Sequence, residues 1–138
     1  MRTESEYNGL ISGALKKIEE ANANNKRIDA QIEQLREAKH YAQVAKSKAT
    51  DLKHRVDCFS IHGHWKKCYR NKFEDKLDTL SSSYISGYIR KIGEYINAIN
   101  MEIISLQRQK DYIAQAIDNA NKQIQSWTRD LQKLATKN

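Results

Sequence analysis

Apolar residues recur every three or four positions along almost the whole chain, and this repeat has one interruption. The first run extends from Ile11 to Val56 and the second from Phe73 to Leu134. Such spacing places the apolar side chains on one stripe of an α-helix, which a second helix can cover. The chain contains no proline that would break either helix. The sequence therefore predicts an all-α fold, an elongated antiparallel hairpin of two helices with coiled-coil-like packing.

The ends of the two helices can be predicted from local signals. Thr3 and Glu6 form a capping-box pattern, so helix 1 is expected to start near residue 4 and to end near residue 56. The helical spacing is lost over residues 57–65, where Gly63 can adopt a positive φ angle. This segment is predicted to be the turn, and helix 2 is expected over about 66–135. The 138 residues are expected to form a single hairpin domain.

Three consecutive serines, Ser81–Ser83, mark a weak point in helix 2, with Gly87 just beyond them. Serine is a poor helix former because its hydroxyl competes for backbone hydrogen bonds. Packing in a coiled coil usually overrides such weak preferences. Helix 2 is therefore expected to be continuous or mildly kinked between Ser81 and Gly87.

The pairing of the two helices can be predicted from irregularities in the repeat. The spacing shortens at Leu35–Ala38 and lengthens over Tyr84–Ile92. Both irregularities lie at the same height if the numbers of facing residues add up to about 123. In that register the chain beyond residue 123 forms an overhang of roughly 20 Å, at 1.5 Å per residue. The overhang would expose one apolar stripe as a docking surface, formed by Ile124, Trp127, Leu131 and Leu134. If helix 2 instead breaks at Ser81–Ser83, the register shifts and this stripe is buried within the chain.

Further apolar residues lie off the main stripe of helix 2 or near the turn. On helix 2, the off-stripe residues either widen the seam between the helices or contact a partner, and they are Ile85, Ile89, Tyr95, Met101 and Ile104. Near the turn, the aromatic residues are Trp65, Tyr69 and Phe73. Because a two-helix hairpin buries little surface, we expect a partner or a second copy of the chain to complete a bundle. The candidate partner-binding residues in this group are Trp65, Tyr69, Phe73, Ile85, Ile89 and Ile104.

The segment around the turn contains both cysteines of the chain. Cys58, His62, His64 and Cys68 are arranged almost symmetrically about Gly63. A disulfide between Cys58 and Cys68 could join the helix ends in an oxidising compartment. Alternatively, two thiolates and two imidazoles could hold a tetrahedral Zn²⁺ ion, although this spacing is not that of a standard zinc finger. The third interpretation is that both thiols are reduced and free of metal.

The net charge of +7 is concentrated in the middle of the chain. Residues 36–76 contain eleven Lys and Arg against five Asp and Glu. This basic stretch, with Trp65 and Tyr69 as platforms for base stacking, makes nucleic-acid binding an alternative function, although the sequence contains no recognised reading helix. No phosphate-binding loop or metalloprotease motif is present, so the sequence predicts no enzyme and no cofactor.

No apolar run approaches the roughly 20 residues needed to span a membrane. The first residues also lack the apolar region of a signal peptide. A cytoplasmic location is expected, and any export would use a route without a cleaved leader.

A helix, a turn with tryptophan and a second helix are the layout of the small ESAT-like (WXG) proteins of type VII secretion. With its longer helices, the chain more closely resembles the YwqH-like family, through Phe59, the segment Gly63–Lys67 and Phe73-Glu74. Members of that family are helical proteins encoded beside LXG toxins in Gram-positive bacteria. The resemblance implies a chaperone that binds the helical N-terminal region of a secreted toxin, with Trp65 as the turn tryptophan.

Two features depart from the WXG pattern. Trp65-Lys66 is followed by Lys67 instead of glycine, and no Tyr or Phe is followed four residues later by an acidic residue. The usual helical export signal is therefore missing, and export information would have to come from a partner. The favoured function is a non-enzymatic adaptor for a helical protein, in particular a secreted toxin. The alternatives are a structural coiled-coil protein that forms homo-oligomers and, third, a basic nucleic-acid-binding hairpin.

Overall fold

Every secondary-structure element in the described part of this computed structural model is helical. The structure describes the backbone of residues 2–58 and 67–137, and the side chains of 2–58 and 71–137. Helix α1 spans Glu4–Asp57, helix α2 spans Lys67–Thr79, a π-helical segment spans Leu80–Ile85, and helix α3 spans Ser86–Lys137. The predicted all-α hairpin class is confirmed.

The start of α1 is stabilised by the capping box that the sequence predicted. The backbone N–H of Thr3 donates a hydrogen bond of 3.1 Å to Oε2 of Glu6. In return, the backbone N–H of Glu6 donates one of 3.2 Å to Oγ1 of Thr3. These bonds satisfy two backbone donors that a helix N-terminus leaves without a helical partner.

The chain divides into two compact units. Unit 1 comprises Met1–Glu33 and Ile103–Asn138, and unit 2 comprises Gln34–Glu102. We call α2, the π-helical segment and α3 together the second helical arm. In each unit, a stretch of α1 pairs with a stretch of the second helical arm that runs in the opposite direction. The sequence predicted a single domain over all 138 residues, and that boundary stays a prediction.

In unit 1, the predicted register of the two helices is wrong. Nζ of Lys110 donates a hydrogen bond to Oδ1 of Asp29, and the two residue numbers add up to 139 instead of 123. Tyr7 and Leu134 line one shallow depression, so the end of α3 has a partner at the start of α1. The described residues of unit 1 form no overhang, and the four residues assigned to it are half-buried, namely Ile124, Trp127, Leu131 and Leu134.

The error in the register has a simple physical reason. The difference of 16 residues is within two residues of two heptads, and sliding one helix by two heptads returns its apolar stripe to the same face. The apolar repeat therefore predicts which face is buried without fixing the height at which two helices meet. The predicted seam residues Ile28, Ile32 and Leu106 are buried despite the wrong register.

Two polar residues interrupt the seam of unit 1. Lys110 is half-buried and makes the ion pair with Asp29 described above. Asn25 is also half-buried, and its Oδ1 atom is buried without a hydrogen-bond partner among the described residues. Unit 1 therefore contains one polar position that is paired and one that is not.

In unit 2, the two helical arms also meet at a different height from the one predicted. The hydroxyl of Ser81 donates a hydrogen bond to Oδ1 of Asp57, and the two residues are 24 positions apart. The same register brings Lys46 beside Gly93, where an added Cβ would lie 3.9 Å from Lys46 Nζ. The stretch of chain between Asp57 and Ser81 is therefore longer than the predicted turn of residues 57–65, and it includes α2.

The π-helical segment moves the seam of unit 2 by one residue. The sequence placed Leu80, Tyr84 and Tyr88 in the seam, but all three are exposed, Tyr84 to 70%. The buried residues are Ser81 and Ile85, with exposed fractions of 4% and 7%. The reason is that the N–H of Ser86 bonds to the carbonyl of Ser81, five residues earlier, so each turn holds an extra residue. Residues that are four positions apart, such as Ser81 and Ile85, therefore lie on the same face of the helix.

Candidate functional site

The large exposed apolar side chains lie mainly in unit 2. Among the described side chains, eight of the eleven that are more than about a third exposed belong to unit 2, and three belong to unit 1. Those in unit 2 are Tyr41, Val44, Leu52, Leu80, Tyr84, Tyr88, Tyr95 and Met101. Exposed apolar groups that cluster on one surface are typical of interaction sites, whereas isolated ones are ordinary.

Five of them border two shallow depressions that follow one another between α1 and the second helical arm of unit 2. The first depression is lined by Ala45, Lys48, Ala49, Leu52, Tyr84, Ile85 and Tyr88. The second is lined by Ala38, Tyr41, Ala42, Lys91, Ile92 and Tyr95. We call these thirteen residues together the aromatic groove. Ile85 is one of the predicted partner-binding residues, and it lies in the floor of the groove.

The walls of the aromatic groove follow from helical spacing. Tyr41, Lys48 and Leu52 recur at steps of seven and four residues on α1, which keeps them on one face. On the other wall, Tyr84, Tyr88, Lys91 and Tyr95 recur at steps of four, three and four. The tyrosines are amphipathic, with a broad apolar ring and a hydroxyl that remains hydrated at the rim.

The floor of the groove is built from small side chains. Ala38, Ala42, Ala45 and Ala49 occupy the seam of α1, and Ala49 is buried. On the opposite side the floor contains Ile85 and Ile92. A methyl group projects little from a helix, so the alanines leave a concave strip between the tyrosine-bearing walls.

The charges at the groove are all positive. Lys48 and Lys91 are its only charged lining residues. Their residue numbers add up to 139, as do those of the facing residues Lys46 and Gly93. Lys48 and Lys91 therefore lie at the same level on opposite walls. Neither makes an ion pair with any residue that the structure describes. The middle of the groove therefore offers two cations without a carboxylate partner.

The predicted partner-binding residues do not lie together in the described part of the structure. Phe73 and Ile89 are half-buried in unit 2, and Ile104 is 43% exposed in unit 1. Trp65 and the side chain of Tyr69 lie outside the described residues. The former overhang residues are half-buried within unit 1, as described above. Their roles in partner binding stay predictions.

The sequence predicts only part of the groove. It places Tyr84 and Tyr88 in the seam because their four-residue steps resemble a stutter, whereas the structure has a π-helical segment over Leu80–Ile85. Tyr95 is predicted to lie off the main stripe, and Tyr41 shares the spacing of the other wall residues on α1, which is a usable signal. The facing position of Lys48 and Lys91 could not be predicted because it depends on the register.

The cysteine and histidine cluster near the turn is described only in part. Cys58 is exposed and forms no disulfide with any described residue, and its Sγ lies 3.7 Å from Nε2 of His54. His62, His64 and the side chain of Cys68 lie outside the described residues. The disulfide and the zinc site therefore stay predictions. Among the described side chains, no group of three or more His, Cys, Asp or Glu could hold a metal ion.

Beside this cluster, the carboxyl group of Asp57 has a lowered pKa. Hydrogen bonds from Lys53 Nζ, at 2.8 Å, and from the Ser81 hydroxyl lower the pKa of Asp57 below its ordinary value of 3.8. Both donors favour the charged carboxylate. This contact connects the end of α1 to the π-helical segment and lies outside the residues that line the groove.

The comparisons with known proteins leave the family of the chain open. None of the helices among residues 4–57 and 67–137 has the length and apolar character needed to cross a membrane. The resemblance to the YwqH-like family stays a prediction. No protein-family model matches the chain, and neither a curated protein nor a solved structure matches it.

Proposed function

We propose that this chain is a non-enzymatic adaptor that binds a helical segment of another protein in the aromatic groove. The observation that carries the proposal is the groove itself, an apolar concave strip bordered by exposed tyrosines in unit 2. A third helix is the natural occupant of a groove between two antiparallel helices, since it completes a three-helix bundle.

The client class that we propose comes from the sequence resemblance. An adaptor for the helical N-terminal region of an LXG toxin would bind its client before type VII export. Such a client supplies the helix that the groove lacks. Catalysis is not part of the proposal because the groove is lined by alanine, isoleucine, leucine, tyrosine and lysine, with no acid–base or nucleophile pair among them.

The test is affinity capture of the tagged full chain from its native cell. The variant Tyr84→Asp/Tyr88→Asp places two charges on one wall of the groove. Tyr112→Asp is the matched control, because Tyr112 is 74% exposed and lies in unit 1. Circular dichroism should show that both variants keep the helical content of the wild type, since all three tyrosines are exposed.

We expect the wild type and Tyr112→Asp to retain one stoichiometric helical partner that the groove variant loses. The complex should then form again from the two purified proteins, as measured by light scattering. Recovery of the chain alone, with assembly that depends on its concentration, would contradict the adaptor and favour a structural homo-oligomer. Affinity for DNA or RNA that falls steeply with salt would favour the nucleic-acid alternative.

A further inference from the structure

We infer that the aromatic groove selects an amphipathic helix whose apolar stripe is flanked by Asp or Glu at its middle. This inference rests on the proposed function and names the chemistry of the partner. It follows from three properties of the groove: its length, its alanine floor and its two facing lysines.

The length of the groove fixes the length of the occupant. The lining residues on α1 extend from Ala38 to Leu52, which at 1.5 Å per residue is roughly 21 Å. A partner helix of about four turns fills this distance. Because the floor consists of four alanines, leucine or isoleucine side chains of the partner can enter between the walls. Their spacing should be three and four residues, so that they form one stripe.

The facing lysines determine the charge of the occupant. Lys48 and Lys91 flank the middle of the groove from opposite walls, and no acidic residue lines it. When a helix fills the groove, water is displaced from the lysine stems and the effective dielectric constant falls. A partner with carboxylates at this level gains two charge-assisted hydrogen bonds, whereas a partner with Lys or Arg is repelled.

The same charges argue against two other occupants. A second copy bound groove to groove would bring four lysines together at the centre of the interface, where like charges oppose association. A nucleic acid needs cations repeated along its phosphates, but the groove offers two at one level over about 21 Å. An acidic amphipathic helix from a different protein fits both the apolar walls and the charge.

The test uses three synthetic helical peptides of about 18 residues, each held helical by a staple on the face that points to solvent. All three carry the same leucine stripe, and the flanking positions are Glu, Gln or Lys. Binding to the full chain is measured by fluorescence anisotropy at low and high salt. The order of affinity should be Glu over Gln over Lys, with a difference of about tenfold or more between Glu and Lys.

Charge reversal in the protein provides the decisive comparison. Lys48→Glu/Lys91→Glu should bind the Lys-flanked peptide better than the Glu-flanked one. The control Lys16→Glu/Lys26→Glu makes the same change in net charge at exposed positions of unit 1 and should keep the original order. Tyr88→Ser should weaken all three peptides, whereas Tyr112→Ser should weaken none.

Each other outcome has a defined meaning. If all three peptides bind equally and charge reversal has no effect, the charge preference is wrong while helix binding in the groove remains supported. If none of them binds, the groove is not a helix site, and the inference is overturned whatever partner the capture experiment recovers. If the wild type binds a duplex or single-stranded DNA probe and the variant Lys48→Glu/Lys91→Glu does not, the occupant is a nucleic acid and the inference is wrong.

Discussion

The hydroxyl of Ser81 donates a hydrogen bond to Oδ1 of Asp57, the last residue of α1. The other carboxylate oxygen accepts a hydrogen bond of 2.8 Å from Nζ of Lys53, one turn earlier. Ser81 is buried, although the two serines after it are exposed. This contact joins the π-helical segment to α1 and marks the height at which the two arms of unit 2 meet.

Replacement of Ser81 by alanine should destabilise unit 2 moderately. The variant removes the hydrogen bond to Asp57, while the exposed carboxylate can still be hydrated. We expect the melting temperature to fall by about 3 °C, measured by circular dichroism. Ser82→Ala is the matched control, because Ser82 is exposed and its hydroxyl donates to the carbonyl of Asp78 in the same helical arm. An equal loss in both variants would contradict the proposed role of Ser81.

The lowered pKa of Asp57 predicts a change of stability in acid. Below the ordinary pKa of 3.8, the unfolded chain binds a proton that the folded chain resists until the pH falls through its lower pKa. The stabilisation is therefore fully present above about pH 4 and is lost as the pH falls. Urea unfolding at a series of acidic pH values should show a shallower pH dependence for Asp57→Asn than for the wild type. Asp51→Asn removes the same charge from α1 and should retain the steeper dependence.

The one-residue shift of the seam predicts effects of very different size at neighbouring positions. Ile85 is 7% exposed, and its replacement by alanine should lower the free energy of unfolding by about 2–4 kcal/mol. Tyr84 is 70% exposed, and Tyr84→Ala should stay within about 0.5 kcal/mol of the wild type. Chemical denaturation measures both changes. The reverse ranking would restore the seam that was predicted from sequence.

Lys110 occupies a seam position of unit 1, so an apolar side chain there should be stabilising. Lys110→Leu breaks the ion pair with Asp29, whose side chain is 55% exposed and can be hydrated. In exchange, leucine extends the apolar stripe, and we expect a gain of about 1 kcal/mol in the free energy of unfolding. Lys122→Leu breaks the 3.1 Å ion pair with Asp118 on an exposed face and should give no gain. A loss of stability in Lys110→Leu would show that the ion pair outweighs the apolar contact.

The sequence by itself determined the helical class, the ends of α1 and most of the buried faces. The capping box of Thr3 and Glu6 is local, and so is the three- and four-residue spacing that buries Ile28 and Ile99. These features depend on residues within a few positions of one another, where the geometry of the helix alone relates sequence to space.

Only the tertiary structure decided the register and the groove. The pairing of Asp29 with Lys110 and of Asp57 with Ser81 is not encoded in the apolar repeat, because a slide of two heptads preserves the stripe. The facing position of Lys48 and Lys91 depends on that register. The exposure of Tyr84 depends in addition on the extra residue per turn between Leu80 and Ile85. Helical periodicity specifies a direction around the axis, whereas contacts between distant residues specify the position along it.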